Sequence, residues 1–343
     1  MDRPQDYESC YWSSNLHAST MFCIYLSALT MGNRETLLHG KRTKDDEFYT
    51  TRYEIEKELS NYTPHFIGKV VLCNCDNPYE SEFVKFFLDN FKSLGLEKLI
   101  AYGLQNPHST VLIKAKGCDV KYQKMTGNGD FRNKECIAYL EQSDIVVTNP
   151  PFSLFREFID QLIEYGKHFI IIGNQNAITY KEIFRLLKND AVWLGYHQGD
   201  MAFRVPSDSQ PRETRYWVDK HGQKWRSLGN VCWFTNVDIP KRHLNLPLHK
   251  VSSVASYAHF DNFNALNVDK IKDIPDVESE LIGVPITFMA HYNPNQFEIV
   301  DALNRYAVMD SQGTNQKVKS LKSHTCNVNG KPTYFRIIIR KKA

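Results

Sequence analysis

In roughly its first 200 residues the chain alternates short apolar runs with amphipathic stretches. The runs, rich in β-branched residues, predict buried strands at 69–73, 98–102, 110–114, 144–148 and 168–173. Helices are predicted between and after them, at 81–91, 135–142, 155–165 and 180–187. Strands that alternate with helices favour a doubly wound α/β fold, with a mostly parallel sheet that helices cover on both faces.

The composition is that of a folded globular protein. With 42% hydrophobic and 24% charged residues, intrinsic disorder and fibrous architectures are excluded, and 343 residues allow about two domains. The net charge of +3 hides an asymmetry, because residues 211–250 hold eight Lys/Arg against three acids and residues 311–343 hold eight and no acid. Basic segments on an acidic body favour a polyanionic partner, although two solvated basic faces would give the same counts.

The eight cysteines are scattered and form no C-x-x-C pair. Several, such as Cys73, lie in apolar runs, where a thiol behaves as a small hydrophobic group. The sequence therefore favours a reduced, cytoplasmic protein without structural disulfides. Cys73 and Cys75 have no matching His/Cys cluster, so no metal site is expected.

The N-terminal region contains an uncharged segment at residues 9–33. Its apolar part, 21–31, is shorter than the about 20 residues of a membrane span, and acidic residues outnumber basic ones before it, unlike in a secretory signal. We expect no membrane association. A natural start at Met31, with an upstream extension before it, is an open alternative.

The string with the clearest chemical meaning is Asn149-Pro150-Pro151-Phe152, which directly follows the strand at 144–148. It lies at the carboxyl edge of the predicted sheet, where open α/β sheets bind ligands. The prolines remove two N–H groups, so the Asn149 oxygen and the Pro150 carbonyl can both accept hydrogen bonds from one exocyclic amine. Phe152 offers a ring on which a base can stack. The alternative is a plain end of a strand, since prolines commonly terminate strands.

This string resembles the catalytic motif of S-adenosylmethionine-dependent methyltransferases that act on adenine N6. The chain as a whole is similar to the EcoRI-type family of adenine-specific DNA methyltransferases. The resemblance covers residues of about 33–340 and rests on strings that keep one order: 46–50 (DEFYT), 71–76 (VLCNCD), 127–132 (GNGDFR), 144–156 (DIVVTNPPFSLFR), 232–236 (CWFTN) and 283–288 (GVPITF).

The resemblance implies a role for each string. The methionine part of the S-adenosylmethionine cofactor is contacted by Phe48, Tyr49 and Thr50, and its amino-acid portion by Cys73, Asn74 and Asp76. Its adenine is contacted by Asp130 and Phe131. The target adenine is held by the catalytic residues Asn149, Pro150, Pro151 and Phe152. Trp233 or Phe234 would pack on the flipped base, although a Trp-Phe pair in a strand is also typical of a core.

Two features depart from the general methyltransferase pattern. The glycine-rich loop after the first strand is missing, which matches the EcoRI-type variant, and no acid follows the second strand at Tyr102 to hold the ribose hydroxyls of the cofactor. Asp76 and Glu80 are candidates for that ribose contact. Capping of the following helix by Asp76 is the competing interpretation.

The resemblance also implies four segments. These are an N-terminal extension at 1–32, with disorder as one interpretation, an S-adenosylmethionine-binding catalytic domain at 33–197, a target-recognition region at 198–282, and a C-terminal segment at 283–343 that returns to the catalytic domain. Within the recognition region, basic residues interleaved with aromatic ones are suited to contact DNA. They are Arg212, Arg215, Lys220, Lys224, Trp225 and Arg226. Lys241, Arg242 and His243 are further candidates for phosphate contact.

The function expected from these observations is N6-methylation of adenine in double-stranded DNA by base flipping, in restriction-modification or as a phage modification enzyme. Methylation of another planar group, such as a glutamine side chain or an RNA base, is an alternative, and so is a catalytically silent DNA-binding protein. We expect a monomer without an obligate protein partner, because methylating one strand at a time needs no symmetric dimer.

Overall fold

A computed structural model of the chain describes residues 48–105, 107–303 and 326–342. The predicted extension at 1–32 lies outside these residues, as do Cys10 and Cys23. The helices are α1 (Arg52–Leu59), α2 (Glu82–Asp89), α3 (Lys134–Gln142), α4 (Phe155–Glu164) and α5 (Lys181–Lys188). Short 3₁₀ segments occur at Ser60–Phe66, Phe152–Leu154, Gln175–Thr179, Pro240–His243, Ile271–Asp273 and Ile286–His291.

The strands form one large sheet, a smaller second sheet and a short hairpin. The large sheet contains β1 (Tyr49–Thr50), β2 (Val70–Cys73), β3 (Lys98–Ala101), β4 (Thr110–Ala115), β5 (Lys121–Lys124), β6 (Ile145–Thr148), β7 (His168–Asn174), β8 (Trp193–Arg204), β9 (Tyr216–Val218) and β10 (Lys224–Thr235). The second sheet contains β11 (His259–Phe260), β12 (Phe263–Asn267), β13 (Ile282–Pro285), β14 (Phe297–Leu303) and β17 (Arg336–Lys341). The hairpin joins β15 (Asn327–Val328) and β16 (Lys331–Pro332).

The centre of the large sheet is the parallel, helix-covered fold that the alternating pattern predicts. Its strand order is β1-β8-β10-β7-β6-β2-β3-β4-β5, and β7, β6, β2 and β3 are parallel. Along β2, Leu72 packs in a core cluster with α3, α4 and α5, whereas Val71 and Cys73 pack with α1 and α2. Both faces are therefore buried, which explains the continuous apolar runs and confirms the Rossmann-like fold class.

The parallel part is smaller than the sequence suggested, because both flanks are antiparallel. On one side β3, β4 and β5 form a meander, so the predicted strand at 110–114 returns beside the strand before it. On the other side β10 runs antiparallel to β7 and β8, with β9 on its outer edge. Short connections account for the meander, since a parallel pairing needs a crossover of a dozen or more residues.

The final strand, β17, lies in the second sheet and not in the large one. This sheet packs against the α3–α5 side of the large sheet, since Ile337 and Ile339 belong to the same core cluster as residues of α4 and α5. The basic residues of β17 pair locally, Arg340 with Glu298 and Lys341 with Asp276. The boundaries of the four predicted segments stay a prediction.

Two further expectations concern cysteine chemistry and membranes. All six cysteines within the described residues, from Cys73 to Cys326, are free thiols. Among the described helices, none has the length and apolar character that crossing a membrane would require.

Candidate active site at the carboxyl edge of the large sheet

A cavity of about 550 Å³ opens where the parallel strands of the large sheet end. Its walls come from the loops after β2, β3 and β6, from residues 129–132, from β1, and from the end of β8 with the turn before β10. Cavities of this size hold small molecules and cofactors. The chain thus converges from distant parts of its sequence on the edge where α/β sheets bind ligands.

Asn149 lies in the wall of this cavity, directly after the fully buried strand β6. Its Nδ2 donates hydrogen bonds to the Phe48 carbonyl (2.7 Å) and to Thr50 Oγ1 (3.3 Å), which fixes the side-chain amide on β1. Its Oδ1 is buried and has no hydrogen-bond partner among the described residues. A buried acceptor without a donor costs about 1–3 kcal/mol, so this oxygen is suited to receive an N–H group from a ligand.

Phe152 forms an aromatic stack beside Asn149. Its ring lies 5.6 Å from that of Phe48 at an interplanar angle of 22°, and Phe48 in turn packs edge-on against Phe203 at 5.5 Å. The Arg226 guanidinium lies 5.2 Å from the centre of the Phe48 ring. Phe152 does not itself line the cavity, but the stack connects it to Phe48, which does.

Asp76 joins the loop after β2 to the end of β6. Its two carboxylate oxygens accept hydrogen bonds from Ser81 Oγ (2.6 Å) and Thr148 Oγ1 (2.5 Å). Burial raises the pKa of Asp76 to about 6, while the two hydroxyl donors act in the opposite direction. The N-cap of α2 is Ser81, whose Oγ accepts from the Phe83 N–H, so Asp76 supports the cap and does not itself form it.

Asn74 and Cys73 have different environments although they are adjacent. Asn74 is buried and lines the cavity, and neither atom of its amide has a partner within hydrogen-bond distance among the described residues. The nearby Tyr102 hydroxyl donates to the Cys136 carbonyl. The Cys73 side chain is buried in the core under α1 and α2, and this burial raises the pKa of its thiol. Cys73 does not line the cavity, and its carbonyl accepts a hydrogen bond from the Tyr102 N–H.

The other side of the cavity is formed by two closely approaching loops. A Cβ on Gly129, which has a φ of +81°, would lie 2.3 Å from the Gly103 carbonyl oxygen, so only glycine allows this approach. Asp130 follows and holds Arg132 through Oδ1 (2.8 Å to Nε) and Oδ2 (2.6 Å to Nη2). The pKa of Arg132 is raised, chiefly by its hydrogen bond to Asp130.

Most of the residues predicted to bind the cofactor or the target base meet in this one cavity. Those that line it are Phe48, Tyr49, Thr50, Asn74, Asp76, Asp130, Phe131, Asn149 and Pro151. Cys73, Pro150 and Phe152 are not among the lining residues. Of the two candidates for the ribose contact, Asp76 is buried and Glu80 is exposed, and both line the cavity.

The residues predicted to bind DNA lie in the segment before β9 and on the hairpin of β9 and β10, which extends past the carboxyl end of β7. Val231 pairs with Asn174 at the end of β7, so residues 224–230 project beyond it toward the cavity. Lys224 lines the cavity, and Trp225 stacks on Trp217 with ring centres 6.1 Å apart. Arg215 pairs with Asp200 at 3.0 Å, and Arg212 and Lys220 are exposed.

Two sets of weaker candidates lie away from the cavity. Trp233 and Phe234 are fully buried in the core, so neither packs on a flipped base. Lys241, Arg242 and His243 follow the end of β10 that pairs with the start of β7, so they lie at the opposite edge of the sheet from the cavity. There Lys241 donates to the carbonyls of Gly195 and Tyr196, and Arg242 pairs with Asp190.

Several residues of the cavity were not predicted from the sequence. They include Tyr79, Gly103, Arg132 and Arg204. The glycine after β3 was the one available signal, since a glycine at the end of a strand often allows another backbone to approach. The described residues contain no group of three or more His, Cys, Asp or Glu side chains that could hold a metal ion.

Comparison with known proteins gives consistent results. The family described as "Adenine-specific methyltransferase EcoRI" matches residues 36–342. Type II methyltransferase M.EcoRI of Escherichia coli is 42% identical over 334 residues, which cover 89% of this chain and 96% of that protein. Type II methyltransferase M.MgeORF184P of Mycoplasma genitalium is 41% identical over 310 residues, covering 88% of this chain and 98% of that protein.

Two further matches complete the comparison. Type II methyltransferase M.MpnI of Mycoplasma pneumoniae is 38% identical over 310 residues, covering 88% of this chain and 97% of that protein. Among solved structures, a putative RNA methyltransferase from Pyrococcus horikoshii matches at 13% identity with a TM-score of 0.28, covering 64% of this chain and 99% of that chain. No conclusion is drawn from a likeness that low.

Proposed function

Because the chain belongs to the EcoRI-type family of adenine-specific DNA methyltransferases, we propose that its cavity transfers a methyl group from S-adenosylmethionine to N6 of an adenine in duplex DNA. Family membership makes the protein a methyltransferase with DNA as substrate. The identity of the donor, the roles of the residues and the biological setting are the proposal. The unpaired, buried Oδ1 of Asn149 is the observation that carries it.

The residues of the cavity fit S-adenosylmethionine. When bound, this cofactor supplies an electrophilic methyl group on a positively charged sulfur. The buried amide of Asn74, which has no partner within the described residues, can bond to the amino-acid portion of the cofactor. The Asp76 carboxylate offers negative charge to a cationic ligand, and Phe131 and Asp130 flank the position expected for its adenine.

The catalytic work at the target base is hydrogen bonding and orientation. Asn149 Oδ1 and the Pro150 carbonyl accept the two hydrogens of N6, which draws the nitrogen lone pair away from the ring and toward the methyl group. The Nδ2 bond to the Phe48 carbonyl (2.7 Å) prevents the amide from turning over, so its oxygen stays directed at the base. After transfer N6 loses one proton to solvent, which needs no strong base in the protein.

A base inside a duplex cannot reach this cavity, so the adenine must turn out of the helix at a cost of a few kcal/mol. On the projecting hairpin, Lys224 lines the cavity and Arg226 lies over the Phe48 ring. Contacts of these cations with DNA phosphates would offset the cost of turning the adenine out. We assign Arg212, Arg215, Lys220 and Trp225 to the same DNA surface. The chain acts as a monomer in this scheme.

Three relatives are named Type II methyltransferases, which supports a role in restriction-modification. In that setting methylation would protect the DNA of the cell from a nuclease that cuts the same site. Modification by a phage-encoded enzyme would use the same chemistry, and it differs only in where the gene resides.

The proposal is tested by incubating the protein with S-adenosylmethionine labelled in the methyl group and with unmodified duplex DNA of high sequence diversity. The DNA is then digested to nucleosides. Label is expected in N6-methyladenine. Label in another nucleoside, or none, would refute the proposal. A parallel incubation with duplex RNA of matched sequence is expected to remain unlabelled.

A further inference from the structure

Two glutamine side chains lie at the carboxyl end of β7 and on β8, outside the cavity lining and outside the predicted DNA-binding hairpin. Gln175 follows β7, and Gln198 lies on β8 opposite Cys232 of β10. The Nε2 of Gln175 donates a hydrogen bond to Oε1 of Gln198 at 3.2 Å. Gln198 is exposed and Gln175 is half-buried, so both side chains are accessible from solvent.

The surrounding backbone holds this pair in place. Asn174 Oδ1 accepts hydrogen bonds from the Asn176 backbone (2.8 Å) and from Asn230 Nδ2 (2.9 Å), which fixes the loop that carries Gln175. The pairing of β10 with β8 shifts register between Leu228 and Val231, next to Gly199 with its φ of +113°. Such bulges lie next to active sites and direct a side chain out of the regular pleat.

The single bond between the two amides leaves a defined pattern of donors and acceptors. Gln175 keeps a free Oε1, which accepts, and Gln198 keeps a free Nε2, which donates; neither has a partner within the described part of the chain. If both amides were turned over, the pair would still present one acceptor and one donor. The pattern therefore does not depend on which amide donates.

This pattern matches one base edge. In the major groove adenine presents the N6 donor beside the N7 acceptor, whereas guanine presents two acceptors, cytosine a donor, and thymine an acceptor with a methyl group. Asn and Gln amides are the side chains that pair with adenine in this way. Guanine would leave the free Gln175 oxygen facing its O6, which is repulsive.

We propose that Gln175 and Gln198 together read an adenine in the major groove close to the methylated base, so that they determine part of the sequence specificity. This rests on the proposed function, because it presumes that a DNA duplex crosses the cavity. Gln198 is three strand spacings from β6 and Asn149, or about 14 Å, which corresponds to about four base-pair steps of B-DNA. The adenine that is read lies within that window.

The experiment maps N6-methyladenine by single-molecule sequencing in unmodified, amplified DNA treated with the full-length protein. The wild-type motif is expected to require an A·T pair within about four positions of the methylated adenine. Gln175→Ala and Gln198→Ala are each expected to relax that one position by about 10- to 100-fold in relative rate, with the other positions unchanged. With the amides oriented as in the structure, Gln198→Glu removes the donor to N7, and it is expected to reduce the preference for adenine at the same position.

Gln142→Ala is the matched control, because this exposed glutamine ends α3 and bonds only to the Ala138 carbonyl. It is expected to leave the motif unchanged. A merely structural role for the pair would slow methylation at all sites equally, without relaxing a position. An unchanged motif in both alanine variants, or a wild-type motif without an A·T pair in the window, would overturn the reading site alone. Absence of N6-methyladenine from the wild-type reaction would overturn the proposed function and the reading site with it.

Discussion

Two buried polar regions of this protein differ in whether their hydrogen bonds are complete. Around Glu58, which is fully buried, each carboxylate oxygen accepts two bonds. Oε1 accepts from the Tyr62 hydroxyl (2.9 Å) and the Tyr196 backbone (2.8 Å), and Oε2 from the backbone (2.9 Å) and Nδ1 (2.7 Å) of His197. In the cavity, Asn149 Oδ1 and both amide atoms of Asn74 have no partner among the described residues.

The unmade bonds of Asn74 and Asn149 matter because these residues line a cavity; Trp233 Nε1 and Arg242 Nε are also buried without a partner among the described residues, but neither residue lines it. A buried group whose bonds are all made inside the chain stabilises the fold, and a ligand has nothing to add to it. A buried group with an unmade bond is costly until a ligand supplies the missing partner. The hydrogen bonds of Glu58 connect α1 to β8, whereas the amides of Asn74 and Asn149 are positioned to bind a ligand. Substitutions in the two regions should therefore affect different measurements.

In the first of these regions, Glu58→Gln should lower stability. The new amide would turn an N–H group toward the backbone N–H of either Tyr196 or His197, so one of these backbone donors would lose its acceptor. The free energy of unfolding should therefore fall by about 1–3 kcal/mol, measured by urea denaturation. Affinity for the methyl donor in the folded protein should not change. Glu56→Gln is the control, since this exposed residue of the same helix forms only a surface ion pair with Arg52 and should cost at most about 1 kcal/mol.

Asn149→Ala should give the opposite result. Removing the group that binds N6 should lower kcat by about 100- to 1000-fold, the usual loss for one positioned group in an active site. Stability should change by only about 1 kcal/mol, because the bond of Nδ2 to the Phe48 carbonyl is lost but Oδ1 had no partner. Donor affinity should survive. Near-normal kcat in this variant would contradict the assignment of Asn149.

Asn90→Ala serves as the matched control for that substitution. Asn90 ends α2, and its Nδ2 donates to the Phe86 carbonyl at 2.9 Å, away from the cavity. It should leave kcat unchanged while costing about as much stability as Asn149→Ala. A kcat loss in Asn90→Ala as large as that of Asn149→Ala would mean that any lost amide bond slows the reaction.

The sequence predicted what local patterns control. The spacing of apolar residues at 155, 158, 159, 162 and 163 predicts α4, whose side chains at these positions are all buried. The Asn-Pro-Pro-Phe string predicts the position of Asn149 at the end of β6, because prolines end strands wherever they occur. These features depend on neighbours in the chain, so they can be read without knowing the fold.

What could not be predicted depends on pairing between distant residues. The segment 231–235 is buried, but its pairing with β7 and β8 and the bulge in it do not follow from its own composition. That pairing puts Lys241 and Arg242 at the far edge of the sheet, although their charge alone made them equal to Lys224 as candidates for DNA contact. Likewise, Gln175 and Gln198 meet only because β10 lies between β7 and β8.

Asp76 shares a property with each region. Both of its carboxylate oxygens have hydrogen-bond partners, as do those of Glu58, but the residue lines the cavity. Its pKa of about 6 means that the carboxylate is ionised above pH 6 and protonated below it. Affinity for the cationic methyl donor should therefore fall about tenfold for each pH unit below 6, measured by titration calorimetry. In Asp76→Asn this pH dependence should be absent.

The same raised pKa sets the sign of a stability effect. Burial makes ionised Asp76 unfavourable in the fold, so this cost is fully present above about pH 6 and disappears as the pH falls through 6 toward the unfolded value near 4. As the pH falls from about 6 to about 4, the free energy of unfolding of the wild type should rise by about 3 kcal/mol relative to that of Asp76→Asn. A difference that stays constant between pH 4 and 7 would show that Asp76 keeps an ordinary pKa.

The smallest effect is expected on the DNA surface, where the same distinction applies to charges. Lys220 is exposed at the tip of the hairpin and pairs with no acid among the described residues, whereas Arg242 is largely buried, pairs with Asp190 at 2.7 Å and lies 3.9 Å from the centre of the Trp193 ring. If an unpaired cation is available to DNA, Lys220→Ala should make the slope of log K against log salt less steep by about 0.9, the value for one phosphate contact. Arg242→Ala should leave that slope unchanged and lower only the free energy of unfolding.

Binding is measured on a short duplex over a range of salt concentrations, without the methyl donor. Equal slopes for wild type and Lys220→Ala would mean that the tip of the hairpin does not touch phosphate. A flatter slope for Arg242→Ala would mean that DNA reaches the opposite edge of the sheet.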